Sequence, residues 1–200
     1  MEGCVSDPLF DGGDDAATPL TAEERDGLIP NYITLRRELN EAEQIGIEDA
    51  DRWAFGRKRP LLDERFLKSL HKRMFGQVWR WAGQYRTTGR NIGVDAYRIG
   101  PDLHHLLDDV SYWIDHQSYA PDEIAVRFHH RLVAIHPFPN GNGRHARLAA
   151  DLLAAQLGRP RFTWGRANLV EPKETRRAYV AALRAADRHD IAPLLAFARS

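Results

Sequence analysis

Two prolines two positions apart, Pro137 and Pro139, stand between the most apolar helical runs of the chain. Upstream, Pro121 occupies a natural first helical position, and Ile124, Phe128, Leu132 and Ile135 recur at helical spacing. Downstream, Leu148, Leu152, Leu153 and Leu157 do the same from Arg144 until Gly158 and Pro160 end the run. Proline lacks the N–H that a helix needs and clashes with the turn before it, so the first run has to stop ahead of Pro137. Two buried helices must therefore deliver one short loop, Pro137 to Asn142, between them.

The remaining segments are read around that unit. Good helix formers fill residues 34–55, where Leu35, Leu39, Ala42, Ile45 and Ala50 trace one face and Gly46 suggests a break. Asp63 is an N-cap for a helix carrying Phe66, Leu67, Leu70 and Met74, with Gly76 as its stop. Trp79, Trp81 and Tyr85 lead into residues 83–100, where Gly89, Asn91 and Gly93 read as the turn of a short β-hairpin. Helical patterns resume over 102–116 and again over 173–188 and 191–198. The expected fold is all-α, a helical bundle with that one hairpin beside the loop. Residues 1–20, acidic and rich in glycine, are expected to be a flexible tail, 21–60 an N-terminal helical segment, and 61–200 the main domain.

Charge narrows the function. Lys+Arg and Asp+Glu both number 28, so no field of the whole molecule draws in a nucleic acid or a membrane surface, and neither is an expected partner. An anionic ligand has to be held by a local site. The one cysteine, Cys4, permits no internal disulfide, and no apolar run approaches the roughly 18 residues of a membrane helix, which together lead us to expect a cytoplasmic protein.

The loop supplies the local site. Gly141 and Gly143 let the backbone curl its N–H groups into a concave nest at the start of a helix, where unsatisfied donors and partial positive charge favour phosphate. Arg144 and Arg147, three apart, present guanidinium forks to successive phosphates. His136 precedes the nest, and a neutral imidazole there can accept the proton of an incoming hydroxyl. Phe138 between its prolines reads as an apolar peg. The histidines His129, His130, His136 and His145 match no familiar zinc spacing, and Trp53, Trp79 and Trp81 are expected in the core rather than in a stacking platform.

The string His136-Pro137-Phe138-Pro139-Asn140-Gly141-Asn142-Gly143-Arg144-His145-Ala146-Arg147 resembles the signature of the Fic family, His-x-Phe-x-(Asp/Glu)-Gly-Asn-Gly-Arg-x-x-Arg. His71 to Phe75, Trp81-Ala82-Gly83 and Arg86 are similar to the family's approach to its target-positioning hairpin, or flap. The resemblance implies a Fic-fold protein adenylyltransferase, moving AMP from ATP to a Tyr, Ser or Thr hydroxyl of a target protein. His136 would be the general base, Gly141, Asn142 and Gly143 would hold the α- and β-phosphates, Arg144 the β-phosphate and Arg147 the γ-phosphate. Mg²⁺ or Mn²⁺ would be the cofactor; where the family carries an acidic ligand this chain has Asn140, a weaker one for a hard cation. Ile92 and Tyr97 would lie on the flap.

The family's inhibitory pattern, (Ser/Thr)-x-x-x-Glu-(Gly/Asn), is met in part by Thr34 and Glu38, with Leu39 at its last position. It implies autoinhibition, with Glu38 pairing with Arg147 and displacing the γ-phosphate. The run Glu38, Glu41 and Glu43 reads equally well as a solvated helix face. Length and N-terminal arrangement are similar to the mobile mystery protein B subgroup, which implies a toxin-like or regulatory role and a helix-turn-helix partner. Two other functions stay open: removal of AMP from a modified protein, with Glu38 orienting a water, and a nucleotide-binding regulatory module without turnover. The oligomeric state is open as well.

Overall fold

The computed structural model describes residues 20–166 and 172–200. The expected tail, Cys4 included, lies outside the described residues apart from Leu20. Among the described residues eight α-helices follow one another: α1 (Ala22–Arg25), α2 (Arg36–Phe55), α3 (Glu64–Phe75), α4 (Ile99–Asp115), α5 (Pro121–Ile135), α6 (Asn142–Gln156), α7 (Pro172–Asp187) and α8 (Ala192–Arg199). One 3-10 turn, Ala96–Arg98, leads into α4.

The pair α5 and α6 forms the centre, with α4 and α8 against α5, α3 and α2 against α6, and α7 laid on α8. Phe128, Val126, Leu132, Ala146, Ala149, Ala150 and Leu153 are almost wholly withdrawn from solvent at this junction. Apolar burial at about 25 cal/mol per Å² makes such a seam the dominant stabilising term. The loop between α5 and α6 thus leaves the buried centre of the bundle.

Local chemistry explains the ends of the helices. The Asp63 carboxylate accepts the N–H groups of Arg65 and Phe66, at 2.5 and 3.2 Å, and opens α3. Pro121 is at the first position of α5, where a missing N–H costs nothing. The expected break of α2 at Gly46 does not occur. That glycine faces the Met74 carbonyl, against which any Cβ would collide, so it serves the close approach of α2 and α3. The buried stripe of α2 is Leu39, Glu43, Gly46, Ala50 and Ala54, rotated from the expected face; Ile45 is exposed.

The expected β-hairpin over 83–100 is not formed: among the described residues the only β pairing is an isolated antiparallel bridge between Leu28 and Trp79. The reason lies in where the backbone bonds go. Arg86 N–H donates to the Pro137 carbonyl at 3.0 Å and Val94 N–H to the Ile135 carbonyl at 3.4 Å, so both arms bind the end of α5. The Arg86 side chain then takes the Thr88 and Val94 carbonyls, removing two more acceptors from any ladder between the arms.

Candidate active site

His136 closes α5 in the left-handed conformation, φ 55° and ψ 60°, uncommon for a residue with a side chain. From there the loop is held at three points. The Phe138 ring, 1% exposed, stacks on the His71 imidazole with centroids 3.7 Å apart. His71 Nδ1 accepts the Gly83 N–H at 3.0 Å, which leaves the proton on Nε2 to donate to the Asn140 carbonyl, also at 3.0 Å. The Asn142 amide bonds the Phe138 backbone in both directions, at 2.9 and 2.8 Å. Its side chain thereby closes the loop with its oxygen and one of its two amide protons, and the second amide proton and the Asn142 backbone N–H are the donors it has left.

The two glycines of the expected nest differ in their surroundings. Gly141 is left-handed at φ 78°, and a Cβ there would lie 2.6 Å from the Phe75 ring. Gly143 is different: a Cβ would meet nothing closer than the Tyr179 hydroxyl at 3.5 Å. The first N–H groups of α6 have no partner within the helix, and the helix dipole adds positive charge at that end. The open side of Gly143 is where an anion can approach them.

The two arginines flank this end of α6 in different ways. Arg144 Nη1 donates to the Glu43 carboxylate at 2.6 Å, and the other oxygen of Glu43 accepts the Trp79 indole N–H at 2.7 Å. Arg147, partly buried, donates to the Gly143 carbonyl at 3.3 Å and lies 5.4 Å over the Tyr179 ring. Tyr179 in turn shares a hydrogen bond of 3.1 Å with His129 Nε2. Burial pushes the His129 imidazole down to about 3 and the Tyr179 phenol up to about 12, so both stay neutral. The guanidinium keeps its charge even where burial opposes it.

Burial, with the positive charge of Arg86 next, brings His136 down to about 4. It is therefore the free base at neutral pH. The structure gathers His136, Gly141, Asn142, Gly143, Arg144 and Arg147 at one end of the α5–α6 pair. It does not bring Glu38 there. Glu38 accepts the backbone N–H groups of Thr34 and Leu35 at 2.9 and 3.0 Å, capping the start of α2, and those bonds hold its carboxyl below the usual range. The expected contact of Glu38 with Arg147 is absent, and the carboxylate that α2 delivers to the site is Glu43, on Arg144.

A resident metal site does not fit these residues. Asn140 offers one neutral oxygen, already accepting the Gly141 N–H at 2.5 Å, and no group of three or more His, Cys, Asp or Glu poised around a cation occurs among the described residues. The flap residues Ile92 and Tyr97 face solvent, at 43% and 79% exposure. Four residues escaped the sequence reading of the site: Glu43 and His71, the carbonyl-binding role of Arg86, and Tyr179. A signal for Glu43 existed, since it sits four residues after Leu39 and three before Gly46 on the face that packs.

Known proteins share the sequence pattern and the fold. Residues 61–154 match the model of the Fic/DOC family. The chain is 34% identical over 133 residues to protein adenylyltransferase fic-1 of Caenorhabditis briggsae, covering 64% of this chain and 25% of that protein. It thus spans about a quarter of the length of the curated relatives it matches. The solved structure of Fic-1 from C. elegans superimposes with a TM-score of 0.66 at 27% identity, over 87% of this chain and 51% of that one. BepC of Bartonella tribocorum, solved with bound AMPPNP, superimposes with a TM-score of 0.66 at 18% identity, over 90% of this chain and 97% of its own. Residues 61–154 of this chain are thus matched by the Fic/DOC family, and the described residues share the fold of Fic-1 and BepC.

Proposed function

We propose that this protein transfers AMP from ATP to a Tyr, Ser or Thr hydroxyl of a target protein. The observation that carries the reading is a neutral His136 at the start of the loop that opens α6, with Gly143, Arg144 and Arg147 in the first turns of that helix. The adenylyltransferase relatives and the AMPPNP bound by BepC support the choice of reaction and nucleotide.

In this reading the nest N–H groups and Arg144 hold the β-phosphate, and Arg147 holds the γ-phosphate. The target oxygen forms a bond to the α-phosphorus as the α–β bridging bond breaks. His136 takes the hydroxyl proton, and pyrophosphate leaves. Mg²⁺ or Mn²⁺ enters with the triphosphate as part of the substrate, and the oxygen of Asn140 is at most one ligand to it. Residues 85–98, with Ile92 and Tyr97 outward, receive an extended piece of the target. The domain extends past 154 to the end of the chain, because α7 supplies Tyr179 beneath Arg147.

Autoinhibition enters through Glu43 instead of Glu38: Arg144 can give a phosphate its full charge only after leaving that carboxylate. The similarity to mobile mystery protein B adds a helix-turn-helix partner as the matching external control. Incubation with α-labelled ATP and cell lysate tests the reaction. Label transferred by the wild type and abolished by His136→Ala is the expected result. Tight ATP binding without label in wild type or Glu43→Gln would leave a nucleotide-binding regulatory module in its place.

A further inference from the structure

We propose that Arg86 is the positioning residue for His136, and that it ties the target-docking segment to the base. The inference rests on reading His136 as the base of the transfer.

The need for such a residue follows from the sequence at the end of α5. The last carbonyls of a helix have no partner within it and carry partial negative charge. A left-handed C-cap is ordinarily closed by the N–H of the residue that follows. Here that residue is Pro137, which has none. Arg86 supplies the missing donors from 50 residues away: Nε donates to the His136 carbonyl at 2.7 Å and Nη2 reaches the Ile135 carbonyl at 3.4 Å.

The same guanidinium holds the docking segment. Nη1 donates to the Thr88 carbonyl at 2.9 Å and Nη2 to that of Val94. Arg86 is 2% exposed, and four of its five N–H donors go to these four carbonyls, two on the segment and two on the base-bearing turn. Gly93 completes the contact. It is left-handed at φ 94°, and a Cβ on it would lie 2.6 Å from the Cβ of His136 and 2.9 Å from Arg86 Nη2. Movement of residues 88–94 as a target docks is thereby transmitted to the backbone of His136. No part of this link touches Gly141, Gly143 or Arg147, which bind the nucleotide in the proposed reaction.

Arg86→Gln, Arg86→Lys and Gly93→Ala in the full chain test it. We expect ATP affinity, read by calorimetry, to stay within about twofold of wild type, while kcat for transfer falls by about 30- to 100-fold in Arg86→Gln, as for any displaced base. Arg86→Lys, which keeps a charge but loses the fork, recovers part of that rate. Gly93→Ala lowers kcat with Arg86 intact. Wild-type kcat in a folded Arg86→Gln, or a loss of ATP affinity in step with kcat, would overturn the proposal. Should Arg86→Gln not fold, wild-type kcat in Gly93→Ala does so. The His136 imidazole NMR signal is a readout independent of turnover: single in wild type, it is expected to shift and broaden in Arg86→Lys. An unchanged signal there overturns the positioning role, whereas a wild type that binds ATP but transfers nothing overturns only the reading of His136 as a base.

Discussion

Gly141 and Gly143 are the same residue type two positions apart, yet they answer different demands. A methyl on Gly141 meets the Phe75 ring at 2.6 Å in a left-handed backbone, so Gly141→Ala is expected to destabilise by about 2–4 kcal/mol from strain and overpacking together. A methyl on Gly143 meets only ordinary contact, and alanine favours a helix by about 1 kcal/mol over glycine. Gly143→Ala should therefore melt no lower than wild type while binding ATP at least about tenfold more weakly, a loss of roughly 1.4 kcal/mol. Thermal denaturation beside calorimetry reads both, and a Gly143→Ala protein with unchanged ATP affinity would exclude the nest as the phosphate site. The glycine pair, His136 and both arginines were legible in the sequence because backbone conformation and charge belong to single residues. His71 was not, since its part depends on Gly83 and Asn140 arriving from two other segments.

Helix α2 shows how a spacing can be right about an element and wrong about its working residue. Glu38 fits an inhibitory pattern but caps its own helix, whereas Glu43, five residues on and so on a different face, is buried against Trp79 and Arg144. Glu38→Gly is then expected to lower stability through the lost cap and to leave transfer rates unchanged. Glu43→Gln should raise the rate of labelling, since it removes the charge that competes for Arg144. A fall in rate would instead make Glu43 a support for that arginine, and a rise with Glu38→Gly alone would reinstate the first candidate. The misread hairpin has a similar origin. Turn residues at Gly89, Asn91 and Gly93 marked a reversal of the chain correctly, but nothing local revealed that Arg86 and the end of α5 would take the hydrogen bonds.

On the scale of the whole molecule, the histidines couple the site to the fold. His71, His129, His136 and His145 are all buried, and burial holds His71 well below 6.5, His129 at about 3, and His136 and His145 at about 4. Unfolded, each would titrate near 6.5, so between that pH and about 4 the unfolded chain binds protons that the native one refuses. The stability these groups contribute is complete above pH 6.5 and lost as pH falls. With roughly 1.4 kcal/mol per pH unit for each proton, four of them approach a slope of about 5 kcal/mol per unit near pH 5. The buried carboxyl of Asp151, pushed up by burial, works in the opposite sense with a single proton. Against a typical total of about 5–15 kcal/mol, a loss on this scale is expected to unfold the protein before His136 itself titrates. Activity should hence be flat from pH 8 to about 6 and then drop cooperatively, with a limb steeper than one proton and coincident with loss of near-UV circular dichroism. A limb with the slope of a single proton in a chain that keeps its tertiary signal to pH 4.5 would mean that these histidines are less withdrawn from water than their packing implies. The base would then titrate within the fold, and its acid limb would report His136 alone.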